Sequence, residues 1–118
     1  MVWPGPSRGG ALRTYVPMTS QGSAYARFRR ALLTKNLAII DAAAAELPRL
    51  SLDDALRVLV VMAEKGDRRF ERAAARFAGR VTVERGLNPS EAHRVLALAE
   101  SLPSAPDAVG ALLRRVCS

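Results

Sequence analysis

The sequence contains little cysteine, histidine or aromatic residue, and the first two shortages exclude particular kinds of site. Its 118 residues include one cysteine, Cys117, and one histidine, His93. A single cysteine cannot form an internal disulfide, as is usual for proteins inside cells. One histidine and one cysteine, far apart in the chain, cannot supply the ligands of a zinc site. We therefore expect a cytoplasmic protein that holds no metal and no cofactor.

The sequence also lacks several motifs of common enzyme classes. None of the patterns GxxxxGK[ST], GxGxxG or HExxH occurs. The nearest carboxylates, Asp53 and Asp54, would diverge by about 100° on a helix, so they cannot converge on one substrate atom. Cys117 is expected in a frayed terminus, beside arginines that favour the thiolate but without a base to activate it. We expect no enzymatic activity.

No apolar run is long enough for a signal peptide or a membrane span, so we expect no membrane association. Residues 1–22 hold three prolines and four glycines. This composition predicts a flexible basic leader, because no acidic residue precedes Asp41. Met18 offers a second start, in which case residues 1–17 would contribute nothing to the fold.

Alanine, leucine and arginine dominate what is present. Hydrophobic residues make up 49% of the chain and charged residues 25%, which is the balance of a globular protein. Aromatic residues, at 5%, are too few to favour a sheet. The length suits one hydrophobic core. We predict an all-α fold with a single helical domain over residues 23–118.

Start and stop signals divide this domain into five to six short helices. Capping or first-turn residues stand at Ser23, Asn36, Ser51, Asp67, Asn88 and Pro106, and stop signals at Pro48, Gly66, Gly86 and Pro103. The helix after Ser51 is apolar almost all round and should be the buried centre. Short connections predict a compact bundle of antiparallel neighbours. An echo between residues 46–55 and 102–108 supports a second interpretation, repeated helical hairpins.

The net charge of the chain is +7, and only Lys35 and Lys65 among its 18 basic residues are lysine. A positive excess of this size attracts nucleic acids and anionic surfaces in general. Arginine also has GC-rich codons, so part of the excess reflects genome composition. The positions of the arginines are therefore more informative than their number.

Five arginines lie in the segment RRFERAAARFAGR, residues 68–80. If this segment is one helix, they occupy about a third of its circumference, next to the apolar side. The predicted binding residues are Arg68, Arg69, Arg72, Arg76 and Arg80, with Arg27, Arg29 and Arg30 added if the first helix lies alongside. Like charges four residues apart destabilise a helix, so an opposite charge must offset them.

Two sources of that opposite charge lead to different functions. Acidic residues of neighbouring helices would make the face an ordinary solvated surface; the candidates are Asp53, Asp54, Glu64 and Asp67. An external acid would make it a binding site for an acidic protein surface or for phosphates. On the external interpretation we expect a non-enzymatic interaction module, or adaptor. The alternative is a nucleic-acid-binding accessory protein that contacts phosphates without reading sequence.

The stretch from Tyr25 to Leu102 resembles a group of small helical proteins from GC-rich bacteria of the actinobacterial type, for which no function is known. The segment ELPRLSLDDALR, residues 46–57, is the most distinctive part of the resemblance. The resemblance implies an all-helical fold and a bacterial cytoplasmic setting. It implies no activity and carries no site residues.

Overall fold

The structure is a computed structural model that describes residues 16–118, with side chains from residue 22 onward. Every regular element in this part of the chain is a helix, and no strand occurs there, which confirms the predicted all-α fold. The helices are α1 (Val16–Thr34), α2 (Leu37–Ala44), α3 (Leu52–Lys65), α4 (Phe70–Arg85), α5 (Pro89–Glu100) and α6 (Pro106–Cys117), with a 3₁₀ turn at Leu102–Ser104. None of them has the length and apolarity that crossing a membrane requires.

The chain divides into two compact units, one ending at Pro48 and one spanning Arg49–Ser118. The prediction of one domain over residues 23–118 therefore stays a prediction. In the first unit, α1 packs against α2. Helix α1 begins seven residues before Ser23, so Ser23 lies inside a helix and does not cap one. The rest of the predicted leader, residues 1–15, lies outside the described residues.

In the second unit, consecutive helices pack against one another, and the last returns to the first. Helix α3 contacts α4 and α6, and α5 contacts both α4 and α6. Leu56 of α3 is fully buried, as are Val81 of α4 and Leu113 of α6. The apolar helix after Ser51 is therefore the buried centre of this unit, as its composition predicts.

Several of the residues predicted to cap helices do so in this unit. The Ser51 hydroxyl accepts a hydrogen bond from the backbone N–H of Asp54 at 3.1 Å. Asn88 and Glu91 form a capping box, in which each side chain accepts from the other residue's backbone N–H. These bonds satisfy donors that a helix leaves unpaired at its first turn, and so they fix the starts of α3 and α5.

Gly79 lies in the middle of α4, where glycine lowers the stability of a helix. A methyl group built at Gly79 would meet no atom within 4 Å beyond its chain neighbours and the adjoining backbone of its own helix. We expect Gly79→Ala to raise the free energy of unfolding by about 0.5 to 1 kcal/mol, because alanine has less backbone entropy to lose. Urea denaturation measures this change. Gly86→Ala is the matched control and should destabilise, since Gly86 ends α4 with φ of +62°.

Candidate interaction site on helix α4

Helix α4 begins at Phe70, three residues later than the predicted cap at Asp67. The Asp67 carboxylate instead accepts the backbone N–H of Arg69 at 2.7 Å and holds its guanidinium at 3.0 Å. Arg68 and Arg69 therefore lie in the turn before the helix. The prediction that five arginines share one face of this helix is therefore wrong. Only Arg72, Arg76 and Arg80 lie within the helix.

The core-facing side of α4 shows where these three arginines point. The buried residues of α4 are Phe70, Ala74, Phe77, Ala78 and Val81. At 100° per residue, Arg72 lies about 180° from the centre of this buried set, Arg76 about 145° and Arg80 about 105°. Only Arg80 adjoins the core, and accordingly it is half-buried while the other two are exposed. The expectation that all the arginines lie next to the apolar side is therefore corrected.

Carboxylates neutralise some of the arginines but not all of them. Arg80 pairs with Glu84 at 2.9 Å, and Arg49 holds the same carboxylate at 2.7 Å. Arg72 and Arg76, by contrast, make no hydrogen bond or ion pair with any residue in the described part of the chain. The two neighbouring guanidiniums, one helical turn apart, remain without an acid of their own.

The acids expected to neutralise the arginine face mostly serve other partners. Asp53 and Asp54 both pair with Arg57, at 2.8 and 3.2 Å. Asp67 binds Arg69, outside the helix, and the hydrogen bonds from the side chain and backbone of Arg69, with a smaller contribution from the charge of Arg68, lower its carboxyl pKa. Within α4, the acid that neutralises an arginine is Glu84, four residues after Arg80. The spacing of this pair in the sequence could have identified it.

Glu84 makes the stability of the fold depend on pH. Its hydrogen bond from Arg80, followed by that from Arg49, lowers the carboxyl pKa below its usual range. The ion pairs therefore stabilise the fold above the ordinary carboxyl pKa, and the stabilisation is lost as pH falls through the lowered pKa. We expect the difference in unfolding free energy between the natural protein and Glu84→Gln to disappear on acidification. Urea midpoints measured at a series of pH values test this, and a constant difference would contradict it.

An apolar groove lies between α3 and α4, on the side of α4 that carries Arg76 and Arg80. Its volume is about 370 Å³, within the range of pockets that hold ligands. The groove is lined by Leu50, Ala55, Val58, Leu59, Met62, Ala73, Arg76, Phe77 and Arg80. Two guanidiniums thus stand at the edge of a surface otherwise made of hydrocarbon. No feature of the sequence pattern alone had indicated this groove.

A second cavity, of about 440 Å³, lies beside Cys117 at the other end of α4, and its charges are engaged internally. Arg49 and Arg80 share Glu84. Arg85 donates to the backbone carbonyl of Cys117 and to that of Ser118. Every guanidinium that lines this cavity therefore already has a partner within the described part of the chain.

Cys117 itself differs from its prediction. It ends α6 and is only 7% exposed, so the expected frayed terminus is wrong. Burial, followed by the charge of Asp53, raises the pKa of its thiol. The nearby arginines act in the opposite direction but are weaker. A buried thiol that is hard to ionise is a poor nucleophile.

Two of the three predicted arginines of α1 have partners in the first unit. Arg27 pairs with Glu46. The guanidinium of Arg29 lies 5.8 Å from the centre of the Tyr25 ring and donates to its hydroxyl at 3.0 Å. Arg30 is exposed. Their addition to the α4 face required that α1 lie alongside, and it stays a prediction.

The sequence does contain one short pattern typical of an enzyme class. Residues 5–9, GPSRG, have the GxSxG spacing of a serine nucleophile elbow. They lie outside the described residues. In the hydrolases that use this motif the serine sits between a strand and a helix, and residues 16–118 contain no strand. The described fold therefore offers no support for a hydrolase interpretation.

Comparison with protein-family models, with curated proteins and with solved structures finds no match to the chain. Within residues 16–118, no three histidine, cysteine or acidic side chains are grouped so that they could hold a metal ion. The fold and the site therefore define an all-α protein in which two unpaired arginines lie on α4, and one of them, Arg76, lines an apolar groove.

Proposed function

We propose that the chain is a non-enzymatic interaction module whose helix α4 binds an acidic segment of a partner protein. The observation that carries this proposal is the pair Arg72 and Arg76, which are exposed and lack a carboxylate in the described part of the chain. The proposal places the module in the cytoplasm, where its free cysteine, Cys117, would stay reduced.

The energetics of α4 support an external acid. Arg72 and Arg76 are like charges four residues apart, which destabilises a helix by about 0.2 to 0.5 kcal/mol. Gly79, on the following turn of the same face, has space around it and lowers helix stability further. A bound carboxylate would relieve the repulsion, because the planar guanidinium forks bind carboxylate oxygens in pairs.

The surroundings of the two arginines favour protein over nucleic acid. Val83, on the same exposed face of α4, is 80% exposed. The groove beside Arg76 is walled by aliphatic side chains, and its aromatic ring, Phe77, is only 4% exposed. Binding of single-stranded nucleic acid usually relies on exposed aromatic rings for stacking. Phosphate binding is therefore the alternative outcome of the test.

The test compares two double variants of equal charge. We expect Arg72→Gln with Arg76→Gln to weaken binding of a fluorescent polyglutamate peptide by about fivefold or more, because exposed ion pairs contribute up to about 1 kcal/mol each. The control, Arg94→Gln with Arg115→Gln, removes two other exposed arginines and should change affinity less than about twofold. Fluorescence anisotropy across a salt series gives the affinities.

Labelled duplex DNA and single-stranded RNA are measured in parallel. Equal losses in the two double variants would show that polyglutamate senses only net charge, and would contradict the proposal. Tighter binding of either nucleic acid than of polyglutamate, with a steep loss of affinity as salt rises, would favour the nucleic-acid-binding alternative.

A further inference from the structure

We infer that the groove between α3 and α4 is a docking site for one amphipathic helix of a partner protein, whose acidic edge pairs with Arg72 and Arg76. The inference rests on the proposed function and deepens it by specifying the form of the acidic segment. Its basis is the presence of Arg76 and Arg80 in the lining of an apolar groove, with Arg72 one helical turn before Arg76.

The walls of the groove are largely apolar and favour an apolar ligand surface. Val58 and Ala55 of α3 and Ala73 of α4 line it and are half-buried, so part of their apolar surface meets solvent. Removing such surface from water favours binding in proportion to the apolar area covered. Two parallel rows of side chains on adjacent helices form the kind of groove into which a third helix lays its apolar face.

The spacing of the arginines specifies the edge of that third helix. Arg72, Arg76 and Arg80 follow one another at four-residue intervals, a rise of about 6 Å each. Acids at four-residue intervals on a helix running along α4 have the same rise and face the arginines in turn. Arg80 already holds Glu84, so two acids suffice, opposite Arg72 and Arg76.

The net charge of the chain disfavours a second copy of it as the occupant of the groove. Each copy carries a net charge of +7, so two copies repel one another. Helix α3, the most apolar helix of the second unit, is already buried at its centre and cannot serve as the docking helix of another copy. An acidic helix from a different protein has the complementary charge.

The experiment selects helical peptides of about 16 residues, long enough to span α4 at 1.5 Å per residue. A displayed library randomised among Ala, Leu, Glu, Gln and Lys is bound to the full chain. We expect enriched peptides to carry leucines at i, i+3 or i+4, and i+7, with glutamates four residues apart along one flank. Absence of enrichment, or enrichment without this pattern, overturns the inference.

A matched pair of variants locates the bound peptide. Ala73→Leu fills the groove, whereas Ala97→Leu makes the same change at an exposed position of α5. We expect the first to weaken an enriched peptide about tenfold, as for the loss of an interface hot spot, and the second less than about twofold. Val58→Thr, which makes the wall polar with almost no change of volume, should also weaken it. Urea midpoints show whether each variant is folded.

The outcomes separate the groove from the arginines. If Arg72→Gln with Arg76→Gln weakens the peptide while Ala73→Leu and Val58→Thr do not, the groove inference fails and the proposed function stands. If the arginine variant has no effect on the peptide or on polyglutamate, the proposed function fails, and the inference fails with it. A size-exclusion shift to a dimer that Ala73→Leu abolishes would assign the groove to a second copy instead.

Discussion

Replacing Arg72 and Arg76 together by glutamate is expected to reduce binding of an acidic peptide by about 30-fold or more. Each replacement removes an attraction worth up to about 1 kcal/mol and introduces a repulsion of similar size, so two replacements change the binding free energy by about 2 to 4 kcal/mol. Anisotropy with labelled polyglutamate at low salt measures the loss. Rising salt should shrink the difference between the two proteins, because exposed charges are screened.

The fold should survive this reversal. Arg72 stands in the first turn of α4, where negative charge interacts favourably with the helix dipole. The glutamate introduced by Arg76→Glu would face Arg80 at the four-residue spacing of a favourable pair. We expect an unfolding free energy within about 0.5 kcal/mol of the natural protein or above it. Retained binding would contradict the account, as would an equal loss in the control that reverses Arg94 and Arg115.

Leu56→Ala should have the largest effect on stability, about 2 to 5 kcal/mol of unfolding free energy. Leu56 is fully buried in the helix that contacts both α4 and α6, so its truncation leaves a cavity at the centre of the second unit. Leu112→Ala is the matched control, since Leu112 is 49% exposed on α6. It should lose less than about 1 kcal/mol.

Urea denaturation followed through amide signals of α3 to α6 measures both leucine variants. Following these signals keeps the measurement on the second unit, whatever the stability of the first. Similar losses for Leu56 and Leu112 would show that α3 is not the centre of this core.

Much of the helix pattern follows from local chemistry in the sequence. Asn88, Pro89 and Glu91 form a capping box whose bonds join near neighbours, so the sequence alone predicts where α5 starts. Gly66 and Gly86 end α3 and α4 with left-handed backbone, which a residue without a side chain adopts most easily. The buried character of α3 follows from its composition.

The features that the sequence did not predict depend on competition or on distant residues. The Asp67 carboxylate can accept the backbone N–H of Arg69 either as a helix cap or as part of a turn. Here it closes a turn, so Arg68 and Arg69 precede the helix and do not lie on its face. Arg49 reaches Glu84 across 35 residues of sequence. The burial of Cys117 likewise needs a tertiary structure.

The candidate site was therefore predictable as a charged face but not as a set of unpaired residues. Periodicity placed Arg72, Arg76 and Arg80 together. Only the folded structure shows that Arg80 is neutralised while the other two are not. The groove between α3 and α4 required the packing of two helices and had no signature in the residue pattern.

The most direct test of the account is to observe each guanidinium as acid is added. Arginine Nε–Hε signals are recorded by NMR while the full chain is titrated with polyglutamate. We expect the signals of Arg72 and Arg76 to shift most, whereas those of Arg69, already held by Asp67, and of Arg94 and Arg115, on α5 and α6, change little. Shifts of equal size at all exposed arginines, or none at Arg72 and Arg76, would contradict it.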